Sequence, residues 1–224
     1  MGFAQVEALD KPELICRGSV SFIGEAKITE PPPDSGKIEW VRQSFRVEAA
    51  GAGESVFYSF MYRPEWFQPG FTQDAIGGTE KQIKAQKFLY RRNIACKDAA
   101  PFLLAAVGFD TDQYVALADS LQSIPEPESA GTDEEGNAIS GYFTQEYYNA
   151  VTDVFKQFAI GNEFGYVLRQ ASEDTGAVDE AGKKIRMKTD KYEISEFFPL
   201  TDRVIESKRK RAEKSDGSVR FCIE

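Results

Sequence analysis

The sequence contains no histidine, and this absence excludes many familiar enzyme mechanisms. Without an imidazole there is no Ser-His or Cys-His nucleophile pair and no histidine metal ligand. The phosphate-loop pattern G-x-x-x-x-G-K-[ST] and the dinucleotide pattern G-x-G-x-x-G are absent as well. Acidic residues are plentiful enough to bind Mg²⁺, but none of them has ligand-like spacing. We therefore predict that the protein is not an enzyme, has no metal site and uses no cofactor.

Cysteines are few, and long apolar runs are missing. Cys16, Cys96 and Cys222 form no C-x-x-C pair, and an odd number spread along the chain does not indicate a disulfide framework. No run of about 18 apolar residues could span a membrane, and the N-terminal residues do not resemble a secretory signal. These features favour a reduced, cytoplasmic setting without membrane contact.

The charge is distributed unevenly along a chain of ordinary globular composition. The 224 residues are 42% hydrophobic and carry a net charge of −9. Residues 125–141 hold five acidic residues and no basic one, whereas residues 183–191 hold five basic residues and one acidic. Residues 203–214 hold six basic residues and two acidic. An acidic protein thus carries local basic segments of the kind that contact phosphate backbones.

Hydrophobic periodicity predicts the secondary structure. Alternation favours strands over residues 13–23, 38–47, 56–63, 163–171 and 184–195, the last two joined by a polar, glycine-containing loop. Helical spacing favours helices over residues 81–94, 98–108, 111–122 and 144–158, with Asp98 and either Asp110 or Thr111 as N-caps. A capped, basic helix is expected from Thr201, frayed at its end.

The order of these elements predicts an α+β fold that is mainly β. Five antiparallel strands with a helical insertion between the third and the fourth have the element order of an OB-fold barrel, here with an enlarged insertion at about residues 80–160. An open α+β sheet would give the same order. We predict one OB-like domain over residues 1–200, followed by a basic C-terminal helix or tail over residues 201–224.

The second predicted strand carries the most informative pattern. Alternation places Val41, Phe45 and Val47 on one face, and Trp40, Arg42 and Arg46 on the other. An indole and two guanidinium groups on a sheet surface suit single-stranded nucleic acid, because bases stack on the rings while the charges neutralise phosphates. The alternative is that Trp40 is buried beneath the helices and the arginines are merely solvated.

The third strand and the final hairpin supply further candidates. On the third strand Tyr58, Tyr62 and Arg63 are weaker candidates, because both faces are apolar enough for the strand to be buried on both sides. The hairpin would clamp a bound strand through its basic residues, or these residues form a solvated tip; they are Lys183, Lys184, Arg186 and Lys188.

Two stretches resemble a known family. The runs IGNEFGYVLRQ and KYEISEFFPLTD, together with DAAPFLLAAVGFDTDQY before them, resemble phage-encoded single-stranded-DNA-binding proteins of the OB-fold type over roughly residues 80–200. The resemblance implies binding of single strands through the sheet face and the hairpin, at Trp40, Arg42, Arg46, Arg169, Arg186 and Lys188. Many members end in an acidic tail that recruits partners, whereas this chain ends in KRKRAEK and SDGSVRFCIE.

We therefore predict a single-stranded-DNA-binding protein that coats and protects DNA during phage replication or recombination, in the host cytoplasm. Replication or recombination proteins are its expected partners, and a homo-oligomer fits this role. Two alternatives stay open. One is an acidic, protein-binding accessory factor or inhibitor that acts through residues 126–135. The other is a virion assembly protein.

Overall fold

The fold is known from a computed structural model that describes residues 9–29, 40–50, 55–62, 96–125 and 144–223. Its strands in chain order are β1 (Glu13–Ile23), β2 (Lys27–Thr29), β3 (Trp40–Ala50), β4 (Ser55–Tyr62), β5 (Glu163–Val178), β6 (Lys184–Phe198) and β7 (Val219–Phe221). The helices are α1 (Cys96–Ala106), α2 (Thr111–Gln122), α3 (Gln145–Ala159) and α4 (Asp202–Lys214).

The predicted α+β, mainly β class is confirmed. The described strands form one open, mainly antiparallel sheet with the order β2-β3-β1-β5-β6, in which β4 also pairs with β3 and β7 pairs with β1. No pairing among these strands joins β6 back to β2 or β4. A closed barrel therefore stays a prediction.

The strand count differs from the predicted five because β2 and β7 are added. The Gly24 amide donates to the Ser44 carbonyl at 2.9 Å, and a few residues later Lys27 pairs with Arg42. Successive antiparallel pairs of this kind show that β2 continues β1 along β3 after a break at residues 24–26. The helices α1–α3 consequently follow the fourth strand rather than the third.

One of the two predicted helix caps in the middle of the chain is confirmed, and the structure adds a cap at Thr144. The Asp110 carboxylate accepts from the amides of Asp112 and Gln113 at 2.9 and 3.1 Å and begins α2. The Thr144 hydroxyl accepts from the Tyr147 amide at 3.3 Å and begins α3. The expected Asp98 cap is wrong, because α1 already begins at Cys96. The helix predicted over residues 81–94 lies outside the described residues.

The β5–β6 hairpin is longer than the sequence indicates. Its loop shrinks to residues 179–183, because β5 continues to Val178 through register shifts that accommodate the glycine at 176. The Asp179 carboxylate accepts from the amides of Ala181 and Lys183 at 2.9 and 2.8 Å, which fixes the turn. The residues expected to form a loop are therefore mostly strand.

The chain divides into two compact units, each described by itself. The hairpin unit comprises Met1–Gly18, Glu48–Val56 and Phe164–Glu224, and the helical unit comprises Ser19–Val47 and Phe57–Glu163. Residues 201–224 belong to the same unit as β5 and β6, and the predicted domain bounds stay a prediction.

The core of the helical unit is aromatic. The Phe45 ring is fully buried on β3 and stacks on the Phe60 ring, with 5.2 Å between the ring centres. It meets the rings of Phe102 on α1 and Phe155 on α3 edge-on, with 4.6 and 5.5 Å between the ring centres. The buried Gln43 amide donates to the Gly24 carbonyl and accepts from the Thr152 hydroxyl at 3.3 Å. This polar link satisfies Gln43 inside an otherwise apolar layer.

The hairpin unit has its own core, which includes the C-terminal segment. Ile15, Val167, Phe198 and Ile223 pack together, and β7 pairs in parallel with the start of β1. The helix α4 packs on this core through Val204 and Ala212, and its Lys208 ammonium lies 4.8 Å from the centre of the Phe198 ring. The predicted frayed end is thus wrong, because an ordered strand and a buried Ile223 follow the helix.

Two glycines of this unit leave room for a close neighbour, the backbone of the next strand at Gly18 and the Phe198 ring at Gly165. A Cβ at position 18 would lie 1.9 Å from the Glu48 carbonyl oxygen of the neighbouring strand, and one at position 165 would lie 2.0 Å from the Phe198 ring. Neither distance is sterically possible, so a larger residue at Gly18 would force β1 and β3 apart, and one at Gly165 would displace the Phe198 ring.

We predict that Phe45→Ala lowers the free energy of unfolding by about 3–5 kcal/mol, because it removes the ring that α1, α3 and β4 share and leaves a cavity. The matched change is Phe57→Ala on β4, whose ring is 73% exposed and whose loss should change stability by at most about 0.5 kcal/mol. Urea unfolding followed by circular dichroism measures both. Equal destabilisation by the two variants would contradict this account of the core.

Candidate nucleic-acid interface

The alternation predicted for β3 is confirmed. Val41, Phe45 and Val47 are completely buried, while Arg42 and Arg46 are exposed. The Trp40 backbone pairs with Thr29, but its side chain lies outside the described part of the structure, as does Arg63. Trp40 and Arg63 therefore stay predictions.

Arg42 identifies which residues of β4 share its face. Its Nε and Nη2 atoms donate to the Ser59 hydroxyl at 3.4 and 3.3 Å. Side chains two residues apart on a strand point to the same side, so Phe57 lies on this face with Ser59. The Phe57 ring is 73% exposed, the most exposed aromatic side chain in the described residues.

Two further residues join this face from β1 and β2. Lys27 is the direct antiparallel partner of Arg42, and directly opposed residues project to the same side of a sheet. A Cβ built at Gly24 would lie 3.5 Å from the Phe22 ring and 3.7 Å from the Ser44 Cβ, which places the ring on the Ser44 side. Ser44 lies between Arg42 and Arg46 in the same alternation. The Phe22 ring is 55% exposed.

We call this surface of the helical unit the open face, defined by Phe22, Lys27, Arg42, Arg46 and Phe57. The face carries the three cations Lys27, Arg42 and Arg46, and the exposed carboxylates nearest to them in sequence are Glu25, in the break between β1 and β2, and Glu48, two residues after Arg46 on β3. Exposed aromatic rings beside cations are the combination that single-stranded nucleic acid requires, because the rings can stack on bases while the cations neutralise phosphates. Such rings have no structural role in the core, and exposing them to water is unfavourable.

The two tyrosines proposed for stacking belong to the opposite side of β4. Tyr62 is 1% exposed and meets Phe155 edge-on at 6.5 Å, so it has no free ring face for a base and its assignment to the binding surface is wrong. Burial raises the pKa of its hydroxyl well above 10.0, with smaller contributions from Tyr148 and Tyr147. Tyr58 is half-buried, with its ring 4.5 Å from that of Phe102.

The expectation that β4 is buried on both sides is also wrong. Phe60 contacts the rings of Phe102 and Phe155 on the helices, and Tyr62 contacts Phe155, whereas Phe57 faces solvent and Ser59 and Met61 are only partly covered. The helices cover one side of the strand only. This asymmetry creates the open face.

The basic residues of the hairpin form ion pairs with its acidic residues. Lys184 Nζ lies 2.7 Å from the Asp174 carboxylate, and Arg169 Nε lies 2.8 Å from the carboxylate of Glu193, its direct cross-strand partner. Lys188 pairs with Asp10 of the N-terminal segment. Residues 172–191 carry five basic and five acidic residues, so the end of the hairpin is neutral as a whole.

Two hairpin cations do not form an ion pair with another described residue. Arg186 donates to the Ser172 carbonyl at 2.8 Å, and its backbone lies opposite Asp174. The Lys183 side chain is exposed and has no hydrogen bond or ion pair among the described residues. The proposed clamp at Arg169, Lys183, Lys184, Arg186 and Lys188 thus stays a prediction, but most of its charge is offset by neighbouring carboxylates.

The sequence reasoning missed Phe22, Lys27 and Phe57. The signal for Phe57 was present, because its face of β4 also carries Ser59, whereas the other face is aromatic or β-branched throughout. Lys27 was missed because the break at residues 24–26 interrupts the alternation that assigns residues to faces, and Phe22 because the alternation of β1 already fails at Ser21 and Phe22, which are both exposed.

No protein-family model, curated protein or solved structure matches this chain. None of the helices within the described residues is long and apolar enough to cross a membrane. In the same part of the chain, no three Cys, Asp or Glu side chains gather as a metal site would require. The resemblance to phage single-stranded-DNA-binding proteins stays a prediction.

The Lys184–Asp174 pair gives a local test of the hairpin geometry. Hydrogen bonds from the Lys184 ammonium and then from the Gly176 amide hold the pKa of the Asp174 carboxyl below 3.8. Because the ionised form is favoured in the folded state, its contribution to stability is present above pH 3.8 and is lost as the pH falls through the lowered pKa. We predict that Lys184→Met raises the Asp174 pKa towards 3.8, as measured by NMR titration of the carboxyl carbon.

The neighbouring substitution Lys183→Met is the matched control, because this lysine has no bond to Asp174. It should leave the pKa nearly unchanged. If the two substitutions changed the Asp174 pKa equally, the general positive charge of the hairpin, and not the direct bond to Lys184, would explain the lowered pKa.

Proposed function

We propose that the protein binds single-stranded DNA and that the open face is its binding surface. The observation that carries this proposal is the exposed Phe57 ring on the same sheet face as Arg42. A base stacked on an aromatic side chain contributes about 1–3 kcal/mol, and every base has a π-face. A surface of this kind therefore favours unpaired strands with little sequence preference.

The net charge of −9 does not oppose this function, because the charge is segregated. Three cations lie on the open face, and the exposed carboxylates nearest to them in sequence, Glu25 and Glu48, are fewer. A bound backbone would release counterions from this surface, while the acidic remainder keeps the protein soluble. Binding would be passive, holding a strand unpaired without chemistry, as coating during phage replication or recombination requires.

The OB-like fold is part of this proposal. With β2 taken as the continuation of β1, the main strands are ordered β4-β3-β1-β5-β6. This is the order of a five-stranded OB barrel that is open between its third and fifth strands, and the OB-fold barrel is often only partly closed. The terminal β7 and the long helical insertion would be additions to that plan.

We predict that Phe57→Ala weakens binding to single strands about 5- to 150-fold, the equivalent of one lost stacked base. The measurement is fluorescence anisotropy with a labelled 30-nucleotide oligo-dT and a matched duplex, at low and moderate salt. Phe22→Ala should act in the same direction. Arg42→Ala should weaken binding to both strand forms and reduce the salt dependence.

The control is Val115→Ala on α2, which removes an exposed apolar side chain from outside the open face and should leave binding unchanged. Loss of the same magnitude in the control and in Phe57→Ala would contradict the stacking role. No binding by the wild-type protein, even at low salt, would contradict the function itself. The alternative hypothesis, an acidic protein that binds another protein through residues 126–135, would then be favoured. These residues lie outside the described part of the structure.

A further inference from the structure

A second basic surface lies in the hairpin unit, along α4. The helix borders an open groove of about 770 Å³ whose lining includes Arg203, Ser207, Lys210, Arg211 and Lys214. Arg203, Ser207, Lys210 and Lys214 are spaced by four, three and four residues, so they follow one face of the helix. At 1.5 Å per residue this row is about 16 Å long.

The cations of this groove are available to an external anion to different degrees. Arg203 and Lys214 have no ion pair with any other residue that the structure describes. Lys210 pairs with Glu206 at 3.3 Å within the helix, and both side chains are mostly exposed. Exposed ion pairs of this type stabilise a helix only weakly, so a phosphate can displace Glu206 at little cost. Arg211 is already paired with Glu13.

The chemistry of the lining favours a phosphate backbone over a peptide. Amphipathic peptides bind grooves through apolar side chains spaced along one face, and Val219 is the single apolar residue of this lining. Small-molecule sites are also mainly apolar. A row of cations with the hydroxyl of Ser207 among them instead matches a polymer of regularly spaced anions, to which Arg, Lys and Ser commonly donate.

We infer that the α4 groove binds the sugar–phosphate backbone of nucleic acid without contacting the bases. This inference rests on the proposed function and divides it between two surfaces. The open face has aromatic rings and would distinguish single strands from duplex. The groove offers no exposed aromatic ring, so it would bind both forms equally and add affinity that depends on salt.

The test compares Arg203→Ala/Lys214→Ala with Lys156→Ala/Lys191→Ala, which removes two exposed lysines from outside the groove and changes the net charge equally. Affinities of the full chain for oligo-dT and for a matched duplex are measured between 50 and 200 mM salt. The slope of log K against log salt is negative, and each lost phosphate contact makes it shallower by about 0.9 on duplex and about 0.7 on single strands. We expect the groove variant to make the slope shallower by about 1.8 on duplex and about 1.4 on single strands. The control should leave both slopes nearly unchanged.

Three results would overturn the inference in distinguishable ways. If the slopes of the groove variant equal those of the control while Phe57→Ala still weakens single-strand binding, the groove is not a nucleic-acid site and the proposed function survives. If poly-glutamate matched in charge competes as strongly as oligo-dT, the groove binds acidic protein segments. If the wild-type protein binds neither strand form, the inference and the proposed function both fail.

A further result would separate the two proposals in the opposite direction. Duplex binding that depends on the groove residues, with no effect of Phe57→Ala on either strand form, supports the groove and contradicts the open face. Lys214→Gln alone provides a check on folding, because it removes the charge but keeps a long polar side chain. It should make each slope shallower by about half as much as the double variant does.

Discussion

The packing of helices against one side of the sheet, through Phe45, determines what the helical unit can do. The Phe45 ring contacts aromatic rings from β4, α1 and α3, so these elements are ordered around a single side chain. Once this side is covered, the opposite side of β3 and β4 must carry whatever the alternation leaves there. Arg42, Arg46 and Phe57 are displayed as a direct consequence of how Phe45 is buried.

Counting charged residues along the sequence is not enough to predict which surface of the protein is basic. The basic run at residues 183–191 is real, but its partner strand supplies Glu173 and Asp174, and the hairpin becomes neutral when the two strands pair. The open face has only three cations, spread over β2 and β3, yet they outnumber the exposed carboxylates nearest to them in sequence, Glu25 and Glu48. Local charge predicts a polyanion site only when the cross-strand neighbours are known.

Much of the fold could be predicted because its signals are local. The bounds of β1 match the expected residues, and the Asp110 cap and the buried side of β3 follow directly from neighbouring residues. Which side of β4 is buried could not be predicted, because both sides are apolar and the choice depends on where distant helices pack. The length of the hairpin was missed for a related reason, since its polar residues form strand only through pairing.

The buried Gln43 has a consequence for how the sheet can be assembled. Its amide joins the Gly24 carbonyl, at the break between β1 and β2, to the Thr152 hydroxyl on α3. If β3 slipped by one position, Gln43 would turn to solvent and an arginine or serine would enter the aromatic layer, leaving buried polar groups without partners. The side chain thus acts as a lock on strand alignment, allowing one pairing and penalising its nearest competitors.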